Sequence, residues 1–451
     1  MSYLRPPCAP PETFLGPSSA LSFIVNRREC RRRRPFSTVN CSVAGNSKKK
    51  EKVIVISGPT GAGKSRLALE LCKKLNGEII SADSVQVYQG LDVGSAKPSM
   101  SERQEVRHHL IDILHPAEDY SAGNFYEDGR QATKDILNRG SVPIVTGGTG
   151  LYLRWFIYGK PDVPKATPAI SLEVESELAN FERHYDWDAA VEWVTKAGDS
   201  SAQSLPANDW YRLRRKLEII KTTGLPPSAY PVPYESFKEH IDLHSTTLAL
   251  AFLLKGFWLK SKRIWIMISF AFFFQHQDWI SIGPLTSGND GILSEARWLL
   301  DIGLQPNSNS ATRAIGYRQA MEYLLKCEEQ GGRSSERDFY AFLSEFQKAS
   351  RNFAKRQLTW FRNEPIYRWI DASRPLEEVL DFIYNAYHDQ TGKLAVPRSL
   401  SMKKDVSDRR EIAQLKTYRP QRGLFTSNEA CSDVLNWISN NQRQKAEVIA
   451  K

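Results

Sequence analysis

The octet Gly58-Pro-Thr-Gly-Ala-Gly-Lys-Ser65 follows the pattern G-x-x-x-x-G-K-S/T, and it stands between a short apolar run and a stretch of helical periodicity, where a phosphate-binding loop belongs. Its glycines let backbone N–H groups wrap an anion, and the following helix N-terminus adds partial positive charge. Lys64 neutralises phosphate oxygens, and the Ser65 hydroxyl can serve Mg2+, directly or indirectly. The loop alone leaves open whether the phosphates belong to a nucleotide or to another diphosphate. Further along, Ser81-Ala-Asp-Ser-Val-Gln-Val-Tyr88 places the Asp83 carboxylate at the end of a second strand, where open parallel sheets bind ligands, facing the loop. Gly147-Gly-Thr-Gly-Leu-Tyr152 ends another strand and puts the Thr149 hydroxyl at the same edge. A kinase would use this neighbourhood for base recognition, and either string alone also reads as a simple turn.

The elements that position these groups are legible in outline. Short apolar runs at 53–57, 79–81, 110–113 and 143–146 alternate with helical stretches, one from the loop to Leu75 ending at Asn76-Gly77, the other over 125–138. This is the alternation of a parallel sheet. The expected fold class is α/β, a P-loop NTPase-like parallel sheet core with a helical insertion domain and C-terminal helices. The Pro-rich stretch 160–168 marks a boundary, and 172–197 reads as helix. A further helix over 208–223 gathers Arg212, Arg214, Arg215 and Lys216 and closes at Gly224-Leu-Pro-Pro227, and helices resume at 292–302, 317–326 and 337–361. The expected division is a leader over 1–50, the first part of the core over 51–160, the RNA-facing insertion over 161–207, core and RNA-binding helices over 208–365, and a final helix and polar tail over 366–451.

Of the formal net charge of +10, residues 1–52 carry eleven Lys or Arg against three Glu, which leaves about +2 for the remainder. Overall basicity therefore says little about what the folded body binds, and RNA recognition has to rest on local clusters. The first fifty residues are rich in Ser, Pro and Arg and poor in acids, as transit peptides are, with 37–44 as a processing zone and a plastid as the expected destination. A mitochondrial or cytoplasmic location, or a basic arm that stays attached, is the alternative. The six cysteines have neither disulfide nor zinc spacing. Residues 254–288 hold Trp258, Trp265, Phe270, Phe272, Phe273, Phe274 and Trp279 without helical or strand period. Lys255, Lys260, Lys262 and Arg263 interrupt them before the roughly twenty apolar residues of a membrane span accumulate, so no membrane partner is expected.

The strings GPTGAGKS, SADSVQVY, GSAKP from Gly94, HHLID from His108, GGTGLY, NDWYRLRRKLEI from Asn208, RAIGYRQ from Arg313 and KRQLTWFR from Lys355 together resemble the tRNA dimethylallyltransferase (tRNA isopentenyltransferase) family, over residues 53–245 and 289–363. The resemblance implies that Gly58, Thr60, Gly61, Ala62, Gly63, Lys64 and Ser65 hold dimethylallyl diphosphate, with Mg2+ as cofactor. Asp83 is then the base for the target amine, Ser84, Val85 and Gln86 seat a flipped adenine, and Thr149 lies beside it. RNA contacts come from Tyr211, Arg212, Arg214, Arg215, Arg313, Gly316, Tyr317 and Arg318, with Lys355, Arg356 and Arg362 added. His108, His109 and His115 resemble a metal cluster, but the family's HHLID is structural. The implied partners are tRNA and dimethylallyl diphosphate, the implied state is a monomer, and the implied product is N6-isopentenyladenosine at the position 3′-adjacent to the anticodon.

Two departures from the family pattern stand out. Tyr211 occupies a place where the family usually has Gln, and the charged helix that should precede GILSEARWLLDIGL is replaced by the aromatic stretch 254–288. That stretch reads as translated non-coding sequence, an unspliced intron or a gene-model error. If it is genuine, an arginine that the family brings to the donor diphosphate is absent. The competing functions are a nucleotide kinase, a prenyltransferase making cytokinins from free AMP, ADP or ATP, and an inactive RNA-binding relative.

Overall fold

The computed structural model describes residues 51–231, 247–255, 291–372, 374–389, 395–401, 432 and 435–440, with backbone alone at 51 and 247–255. Among them are six strands: β1 (Glu51–Ser57), β2 (Gly77–Ser81), β3 (His108–His109), β4 (Val142–Gly147), β5 (Thr247–Lys255) and β6 (Arg368–Asp371). They form one sheet in the order β3-β2-β4-β1-β5-β6, parallel throughout. Thr146 stands level with both Ile56 and Ser81, so β1, β2 and β4 end together. A parallel sheet is covered on both faces, which is why β1 reads as an unbroken apolar run rather than an alternating one. Its alternate residues part to opposite faces. Ile54 and Ile56 pack with α1 (Lys64–Leu75) and α11 (Leu376–His388), while Val53 and Val55 share a core with Phe125 of α3 (Ala122–Asn138) and Phe156 of α4 (Gly150–Tyr158).

The second core also holds α8 (Ile292–Asp301), α9 (Tyr317–Glu329) and α10 (Glu336–Arg362). A separate helical unit is built from α5 (Pro168–Arg183), α6 (Trp187–Lys196) and α7 (Trp210–Thr223) around Val174, Leu178, Ala190, Val194, Leu213 and Leu217. The single helical run expected over 172–197 is thus two helices. Tyr185 turns left-handed (φ 55°), and the Asp186 side chain caps α6 through the Ala189 N–H. The helical unit also extends past residue 207, because the apolar stripe of α7 packs into it.

The strand expected over 110–113 does not form. Leu110 and Asp112 both have positive φ (62° and 57°), which breaks pairing, and the short strand lies two residues earlier, at His108–His109. Asp112 instead accepts from the buried Lys97 ammonium and from Arg103 of α2 (Met100–Glu105) at 2.5 Å. β5 and β6 were not foreseen. β5 borders the aromatic stretch, of which only Leu254 and Lys255 are described, and residues 256–290, the leader 1–50 and most of the tail lie outside the described residues. No helix among the described residues is long and apolar enough to cross a membrane.

Candidate active site

The expected phosphate loop connects β1 to α1. Gly61 and Gly63 adopt φ near +78° and +79°, a region that side chains with a Cβ rarely enter, and this lets the loop curl before α1 begins. The Leu67 N–H bonds to the Gly63 carbonyl, starting the helix, and the Ser65 side chain is exposed at the mouth. Lys64 folds over the loop and donates to the Pro59 carbonyl at 2.9 Å. Burial lowers its pKa to about 8, against the opposing charge of Asp83.

Asp83 leaves the end of β2 half-buried. Its Oδ1 accepts from the Val85 N–H at 2.9 Å and the Gln86 N–H at 3.4 Å. Burial raises its pKa, opposed by those two N–H groups and by Lys64. The Thr149 hydroxyl accepts from the Ser84 N–H at 3.2 Å, and the Thr149 N–H reaches the Ala82 carbonyl. Asp83 and Thr149 therefore brace one loop from its two sides. Gln86, expected to help seat a base, is committed elsewhere: its Oε1 accepts from Ser81 Oγ at 2.8 Å and its Nε2 donates to the Ser95 and Ala96 carbonyls. These bonds hold the loop in shape, and Gln86, like Ser84 and Val85, is half-buried.

Two polar residues missed in the sequence hold this edge together. The Glu295 carboxylate on α8, 7% exposed, accepts from the N–H groups of Asp92, Val93 and Gly94 (2.8, 2.8 and 3.0 Å) and from the Tyr317 hydroxyl at 2.7 Å. Gln357 on α10 accepts from the Thr60 N–H at 3.0 Å and donates to the Gly148 carbonyl at 2.9 Å. Both were detectable as polar residues on a buried helical stripe: Glu295 beside Ile292, Ala296 and Leu299, and Gln357 between Ala354 and Phe361.

The expected RNA contacts divide. Tyr211 is 60% exposed, Arg212 projects beside Asp209 at 3.3 Å, and Arg313 stands over the Tyr211 ring. Arg214 is paired with Glu182, Arg215 with Glu218 and the Pro164 carbonyl, and Lys216 with buried Asp199 at 2.7 Å. Much of this basic face thus holds α7 to its neighbours. Gly316 and Tyr317 are buried. The Gly316 N–H donates to Gln319 and the Tyr317 hydroxyl donates to Glu295, so both donors are used inside the fold. Arg318, Lys355 and Arg362 are half-buried, and Arg356 is exposed.

The three histidines serve separate local structures. His109 Nε2 lies 2.7 Å from Glu78, His108 Nδ1 lies 2.7 Å from the Val106 carbonyl, and His115 Nδ1 accepts from the Ala117 N–H. No group of three or more His, Cys, Asp or Glu among the described residues could hold a metal. Mg2+ keeps several waters and takes few protein ligands beside substrate phosphates. One exposed hydroxyl, that of Ser65 at the first turn of α1, is a donor set that fits it.

The family described as IPP transferase matches residues 86–259 and 287–364, interrupted where the aromatic stretch lies, and that described as Isopentenyl transferase matches 51–116. The tRNA dimethylallyltransferase 9 of Arabidopsis thaliana is 58% identical over 439 residues, covering 92% of each chain. The tRNA dimethylallyltransferase of Protochlamydia amoebophila is 36% identical, covering 75% of this chain and 90% of its own. A solved eukaryotic dimethylallyltransferase acting on tRNA shares the fold, with a TM-score of 0.54 at 23% identity over 77% of this chain and 81% of its own. The chain, with its phosphate loop facing a carboxylate across the ends of a parallel sheet, belongs to the IPP transferase family of tRNA dimethylallyltransferases.

Proposed function

We propose that the chain transfers a dimethylallyl group from dimethylallyl diphosphate to the exocyclic N6 amine of the adenosine 3′-adjacent to the anticodon of tRNA, with the donor in the phosphate loop and Asp83 as the base. One observation carries the assignment of roles: the loops of Lys64 and Asp83 leave the same edge of the sheet, where β1, β2 and β4 end together, and burial lowers the pKa of the lysine and raises that of the carboxylate. The carboxylate is a better proton acceptor for the change, and the ammonium stands where diphosphate charge grows. The adenine amine is a weak nucleophile because its lone pair is delocalised. As its nitrogen bonds to C1 of the prenyl group, the C1–O bond breaks, the amine proton passes to Asp83, and diphosphate leaves into the loop N–H groups and Lys64. Mg2+ on Ser65 would supply further charge neutralisation to the diphosphate. Thr149 holds the Ser84 end of the acceptor loop.

The free-nucleotide prenyltransferase, which would make cytokinins directly, needs no extended RNA surface. Exposed Tyr211, Arg212 and Arg356 and the α5–α7 unit favour the macromolecular acceptor. Incubation with labelled dimethylallyl diphosphate and either tRNA or AMP, followed by nucleoside analysis, separates the two. Label in AMP alone would overturn the tRNA assignment, and transfer of phosphate from ATP with no use of the isoprenoid would overturn prenyl transfer altogether. The basic leader 1–50 supports delivery to a plastid, which a reporter fused to these residues tests. Diffuse cytosolic signal is the outcome against it.

A further inference from the structure

Gln357 belongs to neither substrate loop, yet its one amide bonds both. Its Oε1 accepts from the N–H of Thr60 at 3.0 Å, in the donor loop, and its Nε2 donates to the carbonyl of Gly148 at 2.9 Å, in the loop that carries Thr149. From there the contacts run on to the acceptor side: Thr149 holds Ser84, and Asp83 holds the next two N–H groups. The residue is 7% exposed, and its bond to Gly148 is buried.

The neighbouring glycines show how closely α10 is pressed onto this edge. A Cβ at Gly148 would collide with Gln357 Nε2, and one at Gly150 would come within 2.6 Å of the Trp360 ring. Gln357 and Trp360 are three apart on one helix and so face the same loop. The same helix carries exposed Arg356, next in sequence to Gln357.

We propose that Gln357 is a positioning residue that fixes the separation of donor and acceptor loops, so that C1 of the bound prenyl diphosphate meets the amine held at Asp83. This rests on the assignment of the two loops to donor and acceptor made above. Each substrate is bound by its own loop, and loss of the brace leaves both sites able to bind while misaligning them. Alignment of two bound reactants acts on the chemical step rather than on either affinity, and a misplacement of about 1 Å costs on the order of a hundredfold.

The test uses the full chain with Gln357→Met, which removes both bonds at similar volume, and Gln357→Glu. The latter keeps an acceptor for Thr60 but sets an oxygen against the Gly148 carbonyl. Three quantities are measured: the single-turnover rate at saturating tRNA and donor, normalised to the fraction of sites that bind donor, and the dissociation constants of an unreactive dimethylallyl diphosphate analogue and of tRNA. The expected result is a fall in rate of about ten- to a hundredfold in both variants, with both dissociation constants within about threefold of wild type. A loss that appears wholly in donor affinity, a loss that disappears on normalisation, or a rate within twofold of wild type in both variants would each overturn the proposal. Failure of the wild-type chain to transfer the prenyl group to tRNA would instead overturn the underlying function, so the two failures are distinguishable.

Discussion

The guanidinium of Arg313 stands over the ring of Tyr211, 5.9 Å from its centroid, joining the loop before α9 to the first turn of α7. Two stretches about a hundred residues apart in sequence thereby form one exposed cationic and aromatic surface, of the kind that stacks on single-stranded bases and neutralises phosphate. Arg313→Ala should weaken tRNA binding and lower the slope of log affinity against log salt by about one. Tyr211→Ala should weaken binding and leave the slope nearly unchanged. Filter binding across a salt series separates the two, and identical slopes for Arg313→Ala and wild type would show that this guanidinium meets no phosphate.

Asp83→Asn removes the proton acceptor but keeps an oxygen for the Val85 N–H. Transfer should fall by at least about a hundredfold, with tRNA affinity nearly unchanged. Loss of tRNA binding with retained turnover would remove Asp83 from the role of base.

The pH profile follows from the two shifted groups. Asp83 must be ionised to accept a proton, and burial raises its pKa, so kcat/KM for the donor should climb with pH above the usual carboxylate range. Lys64 must be charged to hold diphosphate, and in the free enzyme its pKa is lowered to about 8. The same parameter should therefore decline above that pH. A bound diphosphate favours the charged lysine, so under saturating donor the decline should move to higher pH. Lys64→Arg should remove the alkaline decline, and its persistence would assign that limb to another group.

Lys216 tests the division of the basic helix. Its ammonium holds the carboxylate of Asp199, which is 1% exposed and is also bonded to the backbone and hydroxyl of Ser201. Lys216→Ala should cost about 1–3 kcal/mol of stability in urea unfolding while tRNA affinity changes little. Arg212→Ala should show the reverse pattern, weaker RNA binding with stability nearly intact.

Glu295→Gln should also destabilise the protein, by about 2–4 kcal/mol. Each carboxylate oxygen accepts from two donors, so an amide nitrogen in place of either one faces two of the four. Thermal unfolding would register the loss, and tRNA binding by the folded fraction should persist.

The sequence by itself determined which groups stand at the sheet edge: the glycine loop after β1, Asp83 after β2 and Thr149 after β4. A glycine-rich octet between a buried strand and a helix admits few conformations, and an acid or hydroxyl at the end of a parallel strand lands on the carboxyl edge whatever the rest of the chain does. Charge clusters carry no such constraint. Arg212, Arg214, Arg215 and Lys216 read alike in sequence, and only packing of α5 and α6 against α7 showed which cations neutralise a neighbour and which face solvent. Tyr317 read as a recognition residue until the fold placed Glu295 beside its hydroxyl. The strand expected over 110–113 failed for the same reason, since Lys97 and Arg103 draw Asp112 into a turn that local propensity does not register. Tertiary structure alone decided that one amide, Gln357, spans the loops of donor and acceptor. Its two partners lie some three hundred and two hundred residues away along the chain, and a contact between residues so distant exists only once the sheet has set its strands side by side and α10 has closed over their ends.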